Sequence, residues 1–417
     1  MADRLVAWLY DTPVVGISAA ANLRVTVDWE EAGIERWGRG SRALSVSLAL
    51  GSPIRRNEDT GMDFFSNLLP DGPVLIAMAN LAGVSPVDTF GLLSRFGSDC
   101  AGALVIVPEG AVPASRSDWG YEALTLDDVA RVIDNLAAAP FGADLDRGWS
   151  PSLAGYQEKV LLGRLADGSW TRPLQGAPST WILKPDRDIR MAENEATCLR
   201  LAAACGIPIP DVELLTIDGV KVLAIARYDR AETDGSISRI HQEDGCQAVG
   251  APPMLKYEDD GGPPLVALAE LLRNFGEVDS LEQLLARVTF NMAIGNADAH
   301  AKNFSILHDR VDPTVALAPA YDLISTIALE PRPNAAGRMV PAVTRMGQRV
   351  DGVSEITDVS RASVVAEGTS WGMGATSATR IVDEMLDRVR HALVGSDGDK
   401  KVLTVIQSQL DRLGSRE

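Results

Sequence analysis

At 417 residues, with 46% apolar and 23% charged side chains, the chain has the composition of a globular protein of two or three domains with a sizeable core. A net charge of −18 argues against direct nucleic-acid binding, which needs a basic surface, and leaves room for a basic protein partner. No apolar run reaches the roughly 18 residues of a membrane span. The opening MADRLVAWLYD has too short an apolar stretch and too early an acid for a signal peptide. We therefore expect a cytoplasmic protein with no membrane partner. Cys100, Cys198, Cys205 and Cys246 show no Cys-x-x-Cys spacing and read as buried small apolar residues, not as a disulfide or zinc framework.

In chain order, residues 1–140 read as a compact α/β unit. Residues 5–10 and 43–48 are expected strands. Asp71-Gly72-Pro73 opens a helix that ends near Gly83. Ser85-Pro86-Val87-Asp88 opens another with Ser85 as cap; Val87, Phe90, Leu93 and Phe96 form its buried stripe and Gly97 its C-cap. Residues 108–118 are a loop, and a domain boundary falls within 137–151. Residues 141–245 read mostly as strands, at 159–165, 180–184, 212–217 and 220–226, the last pair flanking the hairpin signal Asp218-Gly219. One helix, 192–204, lies between them and is ended by Gly206 and Pro208. Residues 246–417 are mainly helical. Ile381, Val382, Met385, Leu386 and Val389 mark one late helix, and Val402, Leu403, Ile406 and Leu410 another.

The chemistry concentrates in NMAIGNADAHAKNFSIL, residues 291–307. A helix with Leu281, Leu284, Leu285, Val288 and Met292 at helical spacing leads in, with Ser280 and Gln283 as a capping box, and Gly295 with Asn296 ends it. Asp298 and Asn303 then stand five apart, the Asp-x-x-x-x-Asn spacing of a kinase catalytic loop. Strands at 304–307 and 315–317 would form a hairpin that returns Asp322 toward Asn303, with His300 and Lys302 between. Two carboxylates and an amide suit a divalent cation held by hard oxygen ligands. Upstream, Lys184 ends the apolar strand TWILK, and Glu195 on the helix of that region is a candidate partner for it. The segment from Ser152 to Lys159 has one glycine, Gly155, and matches neither a Walker A loop nor a kinase glycine loop; a tight turn there can still cradle phosphate with backbone N–H groups.

Ten stretches carry a resemblance. They are FFSNLLPDG (64–72), FGSDCAGAL (96–104), SLAGYQEKVLL (152–162), WILKP (181–185), ENEATCLRLA (193–202), ARYDR (226–230), HQEDGCQAVG (241–250), LKYEDDGGP (255–263), GNADAHAKNFSIL (295–307) and LAPAYDLIS (317–325). In this order they resemble the HipA-like serine/threonine kinases, the toxin half of bacterial HipBA toxin–antitoxin pairs, in the full-length form that has the N-terminal subdomain.

The resemblance implies an α+β HipA-like fold: an N-terminal α/β subdomain (1–140), a kinase N-lobe with phosphate loop (141–245) and a helical C-lobe with catalytic loop (246–417). It implies ATP and Mg2+ as cofactors. Asp298 falls at the catalytic base, Asn303 and Asp322 at the metal ligands, and Lys184 at the phosphate-binding lysine. Ser152, Gly155, Gln157, Lys159, Glu195, His300 and Asn303 fall among the ATP-binding positions. Glu243 and Gly245 fall where the hinge backbone binds adenine, and Ser152 where the family autophosphorylates. His300 follows the aspartate, whereas ordinary protein kinases carry the histidine before it, and Tyr321-Asp322 stands for Asp-Phe-Gly. Implied partners are a protein substrate, an aminoacyl-tRNA synthetase in some relatives, and a small basic helix-turn-helix antitoxin through which nucleic acid is reached. The alternatives are a kinase-fold co-repressor acting with a DNA-binding antitoxin, and a small-molecule kinase. The retained Lys184, Asp298, Asn303 and Asp322 argue against the first, and the phosphate loop with the N-terminal subdomain against the second.

Overall fold

The computed structural model describes residues 3–53, 59–186, 190–233, 236–310, 314–333, 339–340 and 342–414. The chain divides into two compact units: unit 1 takes Met1–Pro185, Leu215–Met254 and Leu307–Pro313, and unit 2 takes Asp186–Leu214, Leu255–Ile306 and Thr314–Glu417.

Unit 1 is built on two sheets. Leu5, Ala7 and Leu9 alternate with less buried neighbours, so Arg4–Leu9 forms strand β1. It pairs antiparallel with β2 (Thr12–Ala19), which pairs with β3 (Val25–Trp29), and on its other side with β4 (Leu104–Pro108), giving the order β3-β2-β1-β4. Helix α1 (Glu31–Trp37) lies against β2. Helices α2 (Thr60–Ser66), α3 (Gly72–Ala82) and α4 (Thr89–Phe96) bury Phe64, Phe65, Val74, Met78, Phe90, Leu93 and Phe96 in the same core as that sheet. The second sheet runs in the order β5-β7-β6-β8-β10-β9, from β5 (Gly120–Leu124), β6 (Val160–Arg164), β7 (Trp170–Leu174), β8 (Trp181–Asp186), β9 (Val212–Ile217) and β10 (Val220–Ala226). Helix α5 (Leu126–Asp134), with a capping box between Thr125 and Asp128, sends Val129 and Ile133 into its core. Strand β6 is buried on both faces: Leu161 enters the first core and Val160 and Leu162 the second. In the β9–β10 hairpin Asp218 (φ 46°) and Gly219 (φ 77°) both take left-handed backbone, as the two-residue turn requires.

Between β8 and β9 the chain contributes α6 (Met191–Ala204) to unit 2. After the short helix α7 (Gly245–Val249) of unit 1, unit 2 continues as α8 (Leu265–Phe275), α9 (Ser280–Ile294), α10 (Arg361–Ser370), α11 (Ala375–Leu393) and α12 (Lys400–Gly414). Helix α9 is central and packs on α8, α10, α11 and α12, while α6 packs on α11. The expected stripes are buried except at their edges: Leu284, Leu285, Val288 and Met292 on α9, Ile381, Val382, Met385, Leu386 and Val389 on α11, and Val402, Ile406 and Leu410 on α12 are buried, while Leu281 and Leu403 are half-buried.

Three expectations are corrected. Residues 43–48 are not a strand, because their backbone groups are taken by side chains: Glu243 accepts from the Val46 N–H at 2.8 Å, and His241 Nε2 meets the Leu44 carbonyl at 2.7 Å. Ser85 does not cap α4; Asp88 does, accepting from the Gly91 N–H at 2.9 Å, so Val87 falls on the preceding turn and is 66% exposed. Ser280 and Gln283 form no capping box, since the helix begins one residue earlier than that reading: Ser280 is its first residue, and the Gln283 N–H donates to the Asp279 carbonyl at 3.0 Å. All four cysteines are buried and no disulfide links them. Among the described residues no helix is long and apolar enough to cross a membrane.

Candidate active site

In unit 2, α9 ends at Gly295, whose left-handed backbone (φ 68°) turns the chain into the loop that carries Asp298. The loop is fixed residue by residue. The Asn296 side chain bonds the Asn291 side chain at 3.0 Å and accepts from the Asp298 N–H at 3.2 Å. The Ala297 N–H donates to Thr326 Oγ at 3.0 Å, and its carbonyl accepts from the Gly347 N–H at 2.7 Å. A single 3-10 turn over Ala301–Asn303 then presents Asn303. The return is short, because the Ala318 N–H donates to the Ser305 carbonyl at 2.9 Å and the Tyr321 hydroxyl meets Ser305 Oγ at 2.6 Å. Asp322 follows in left-handed backbone (φ 51°), a conformation Asp tolerates better than most residues. Its carbonyl lies 3.4 Å from Asn296 Nδ2. Asp298, His300, Asn303 and Asp322 thus lie on one turn-and-return, whose outgoing strand is Ile306–His308 where 304–307 was expected.

The electrostatics of the turn centre on Asp298 and Asn303. Asp298 is exposed to water. The surrounding protein still pushes its carboxyl pKa up; the Tyr257 hydroxyl and the charge of Lys256 pull it down, and the charge of Asp322 pushes it up again, for a net rise. Exposure to water limits that rise. Asn303 Oδ1 is buried with no hydrogen-bond partner among the described residues. An amide oxygen without a donor is costly in a folded chain and fits a cation ligand. Among the described residues no three His, Cys, Asp or Glu side chains converge as a metal cluster. A Mg2+ site built from Asn303 and Asp322, completed by phosphate and water oxygens, matches that donor set.

Glu195, fully buried on α6, also belongs to unit 2. Its neighbour Asn194 donates to the Ser325 carbonyl at 3.0 Å and accepts from the Ser325 N–H at 2.9 Å, so α6 is fastened three residues past Asp322.

The other candidate residues lie in unit 1. Lys184 is buried on β8, whose neighbour β6 follows the segment 152–159. Ser152 is fully buried; its hydroxyl donates to the Leu68 carbonyl at 2.8 Å and its N–H to the Asp99 carbonyl at 3.1 Å. Gly155 has φ 117°, beyond the reach of an ordinary side chain, and its carbonyl accepts from the Asp71 N–H at 3.1 Å. Lys159 folds back under the segment and donates to the Ala154 carbonyl at 3.0 Å, while Gln157 is half-buried and Tyr156 is exposed. Glu243 is fully buried, and its carboxylate is held by Ser45 Oγ at 2.6 Å, the Val46 N–H and His308 Nε2 at 2.9 Å. Gly245 opens α7 behind the cap Asp244. Sequence reasoning missed Tyr257, whose hydroxyl donates to Asp298 Oδ1 at 2.9 Å; its only signal was membership of the LKYEDDGGP stretch.

The fold and this turn define a class: an α+β chain with the HipA-like, kinase-related architecture. It superposes on HipA in the Shewanella oneidensis toxin–antitoxin complex of HipA, HipB and operator DNA with a TM-score of 0.78 and 22% identity, over 98% of this chain and 95% of that one. The sequence model of the HipA-like C-terminal domain matches residues 151–393 and that of the HipA N-terminal domain residues 5–107, and the chain belongs to the HipA-like kinase toxin family. It is 38% identical over 370 residues to the protein Y4mE of Sinorhizobium fredii, covering 86% of this chain and 85% of that one. It is 30% identical over 319 residues to the serine/threonine-protein kinase toxin HipA of Shewanella oneidensis, covering 72% and 69%.

Proposed function

We propose that the chain is an ATP- and Mg2+-dependent serine/threonine protein kinase and the toxin of a toxin–antitoxin pair. The observation that carries this reading is the turn itself: Asp298 with a raised proton affinity, beside Asp322 and a buried Asn303 Oδ1 that has no hydrogen-bond partner among the described residues. Asp298 would accept the proton of a serine or threonine hydroxyl as that oxygen attacks the γ-phosphorus and ADP leaves. Asn303 and Asp322 would hold Mg2+, which when bound neutralises phosphate charge. Lys184 and the segment from Ser152 through Gly155 and Gln157 to Lys159 would bind the nucleotide phosphates. The backbone at Glu243 and Gly245 would receive adenine, and Glu195 and His300 keep the ATP-binding roles their positions carry by resemblance.

Ser152 would be the off switch. A hydroxyl that is fully buried and donates to the Leu68 carbonyl has neither room nor a proton to spare once it carries a phosphate. Phosphorylation adds about −1.5 to −2 charges, so the modified loop would not return to this position. A small basic antitoxin is the proposed partner: the solved relative is a complex with HipB and operator DNA, and a net charge of −18 favours a basic protein.

The test is incubation of purified protein with magnesium and labelled ATP. Label on protein, with phosphate on Ser152 in the wild type and not in Asp298→Asn, is the expected result. A wild type that binds a basic antitoxin but transfers no phosphate would instead support the co-repressor reading.

A further inference from the structure

We propose that Tyr257 is a positioning residue of the transfer site, holding the Asp298 carboxylate in its working orientation from a braced turn over residues 256–263. The inference rests on the kinase reading above.

An aspartate carboxyl turns about a broad, roughly two-fold terminal torsion. A base on a water-accessible side chain therefore needs an external donor to fix which oxygen faces the substrate. Its own loop offers the Asp298 side chain no such donor among the described hydrogen bonds; the Asn296 contact is with its backbone N–H. The Tyr257 hydroxyl supplies one, donating to Oδ1 at 2.9 Å and leaving Oδ2 for the acceptor hydroxyl.

The phenol is itself held in place. Its ring stands edge-on to His300, with centroids 5.2 Å apart and planes at 83°, and Lys256 Nζ lies 5.5 Å from the ring centre. The turn that carries it is tied to the catalytic loop, because the Ala301 N–H donates to the Lys256 carbonyl at 3.1 Å. The turn closes on itself: the N–H groups of Asp260 and Gly262 both donate to the Tyr257 carbonyl, at 3.1 and 2.9 Å. A Cβ on Gly262 would collide with the Leu255 carbonyl.

A third element braces the other side. From the strand Arg345–Val350, the Arg349 N–H donates to Glu258 at 2.7 Å, Gln348 Nε2 donates to the Pro263 carbonyl at 2.9 Å, and Arg345 and Arg349 both grip Asp259. The same strand reaches the catalytic loop through Gly347, where any side chain would meet the His300 backbone. Catalytic loop, turn and strand form a closed ring of contacts around Asp298. Ring packing alone would be satisfied by phenylalanine; what the tyrosine adds is a donor aimed at the base.

The experiment compares wild type, Tyr257→Phe and Asp298→Asn, each as the full chain, in transfer from Mg-ATP, in Mg-ATP affinity by calorimetry and in thermal melting. Tyr257→Phe keeps the ring and is expected to lower kcat by about ten- to a hundredfold, as for a misplaced catalytic group. Its ATP dissociation constant should stay within about twofold and its melting should not move, since the lost contact is made to the base and not to the nucleotide. A wild-type kcat in Tyr257→Phe, with Asp298→Asn inactive, overturns the positioning role and leaves the kinase reading standing. Parallel loss of kcat, ATP affinity and melting temperature in Tyr257→Phe also overturns it, because a structural prop behaves that way. No transfer by the wild type overturns the proposal together with the kinase reading.

Discussion

A general base must stay ionised and yet take up a proton, and the surroundings of Asp298, the proposed base, divide along that line. Desolvation by the surrounding protein raises its pKa, Tyr257 and Lys256 lower it, and Asp322 raises it again. The base works only in its ionised form, so kcat/KM should fall as pH drops through a value above the ordinary aspartate pKa of about 3.9. A pH–rate profile with its acid limb at or below that value would contradict the assignment. Asp298→Asn conserves volume and should melt like the wild type while losing roughly 10²- to 10⁴-fold in transfer. Asn303 calls for a different signature. Its Oδ1 has no donor to lose among the described residues, so Asn303→Ala should not lower the melting temperature of the nucleotide-free protein, yet should abolish Mg2+-dependent ATP binding. A large loss of stability without ligand would show that the oxygen serves the fold instead.

At the scale of the element, unit 1 is tied together by charge as well as by its apolar cores. Asp99, three residues past α4, is buried with Arg227, Arg230 and Arg239, accepts from Ser179, and shares Arg227 and Arg230 with Asp229, which binds the Gly102 N–H at 2.7 Å. Burial pushes the Asp99 carboxyl pKa up, and the guanidiniums of Arg227, Arg239 and Arg230 outweigh it, holding the group well below the usual carboxylate range. A depressed folded-state pKa means that this stabilisation is fully present above the unfolded value of about 3.9 and is lost as pH falls below it. Asp99→Ala takes a carboxylate from all three arginines, leaving Asp229 to hold Arg227 and Arg230, and should cost about 3–5 kcal/mol in urea unfolding; a loss under about 1 kcal/mol, the range of exposed pairs, would show that the remaining contacts suffice. This network also marks how far the elements were legible. Helical stripes and alternating strands were readable because each depends on neighbours within one turn or one pleat, as in α9 and β6. Residues 43–48 misled because what decides them is a carboxylate about two hundred positions away, at Glu243. The site divides the same way: Asp298 and Asn303 were visible through their spacing, and Asp322 through a short return. Tyr257 was not, since it stands 41 residues before the aspartate it binds, and no local pattern links them.

On the scale of the whole chain, the two family models, at 5–107 and 151–393, do not coincide with the compact units, because unit 1 draws on both. Phe141, Trp149 and Leu161 share one core with Leu5, Phe64 and Leu93. A fragment of residues 141–417 would expose that core and leave Arg227 and Glu243 buried without Asp99, Ser45 and Val46. It should be recovered as aggregate in gel filtration, and co-expression of residues 1–140 should return it to solution. A monomeric 141–417 that melts cooperatively would sink this expectation. The same wiring sets a timetable for the ribosome. Arg227 lies 128 residues after Asp99, and at roughly 5–20 residues per second an emerging chain would keep its N-terminal third waiting some 6–26 s for the cations that complete it. During that interval the first sheet has its strands but not its counter-charges, so the nascent chain passes through a window in which a chaperone, or early contact with a basic partner, has the most to offer.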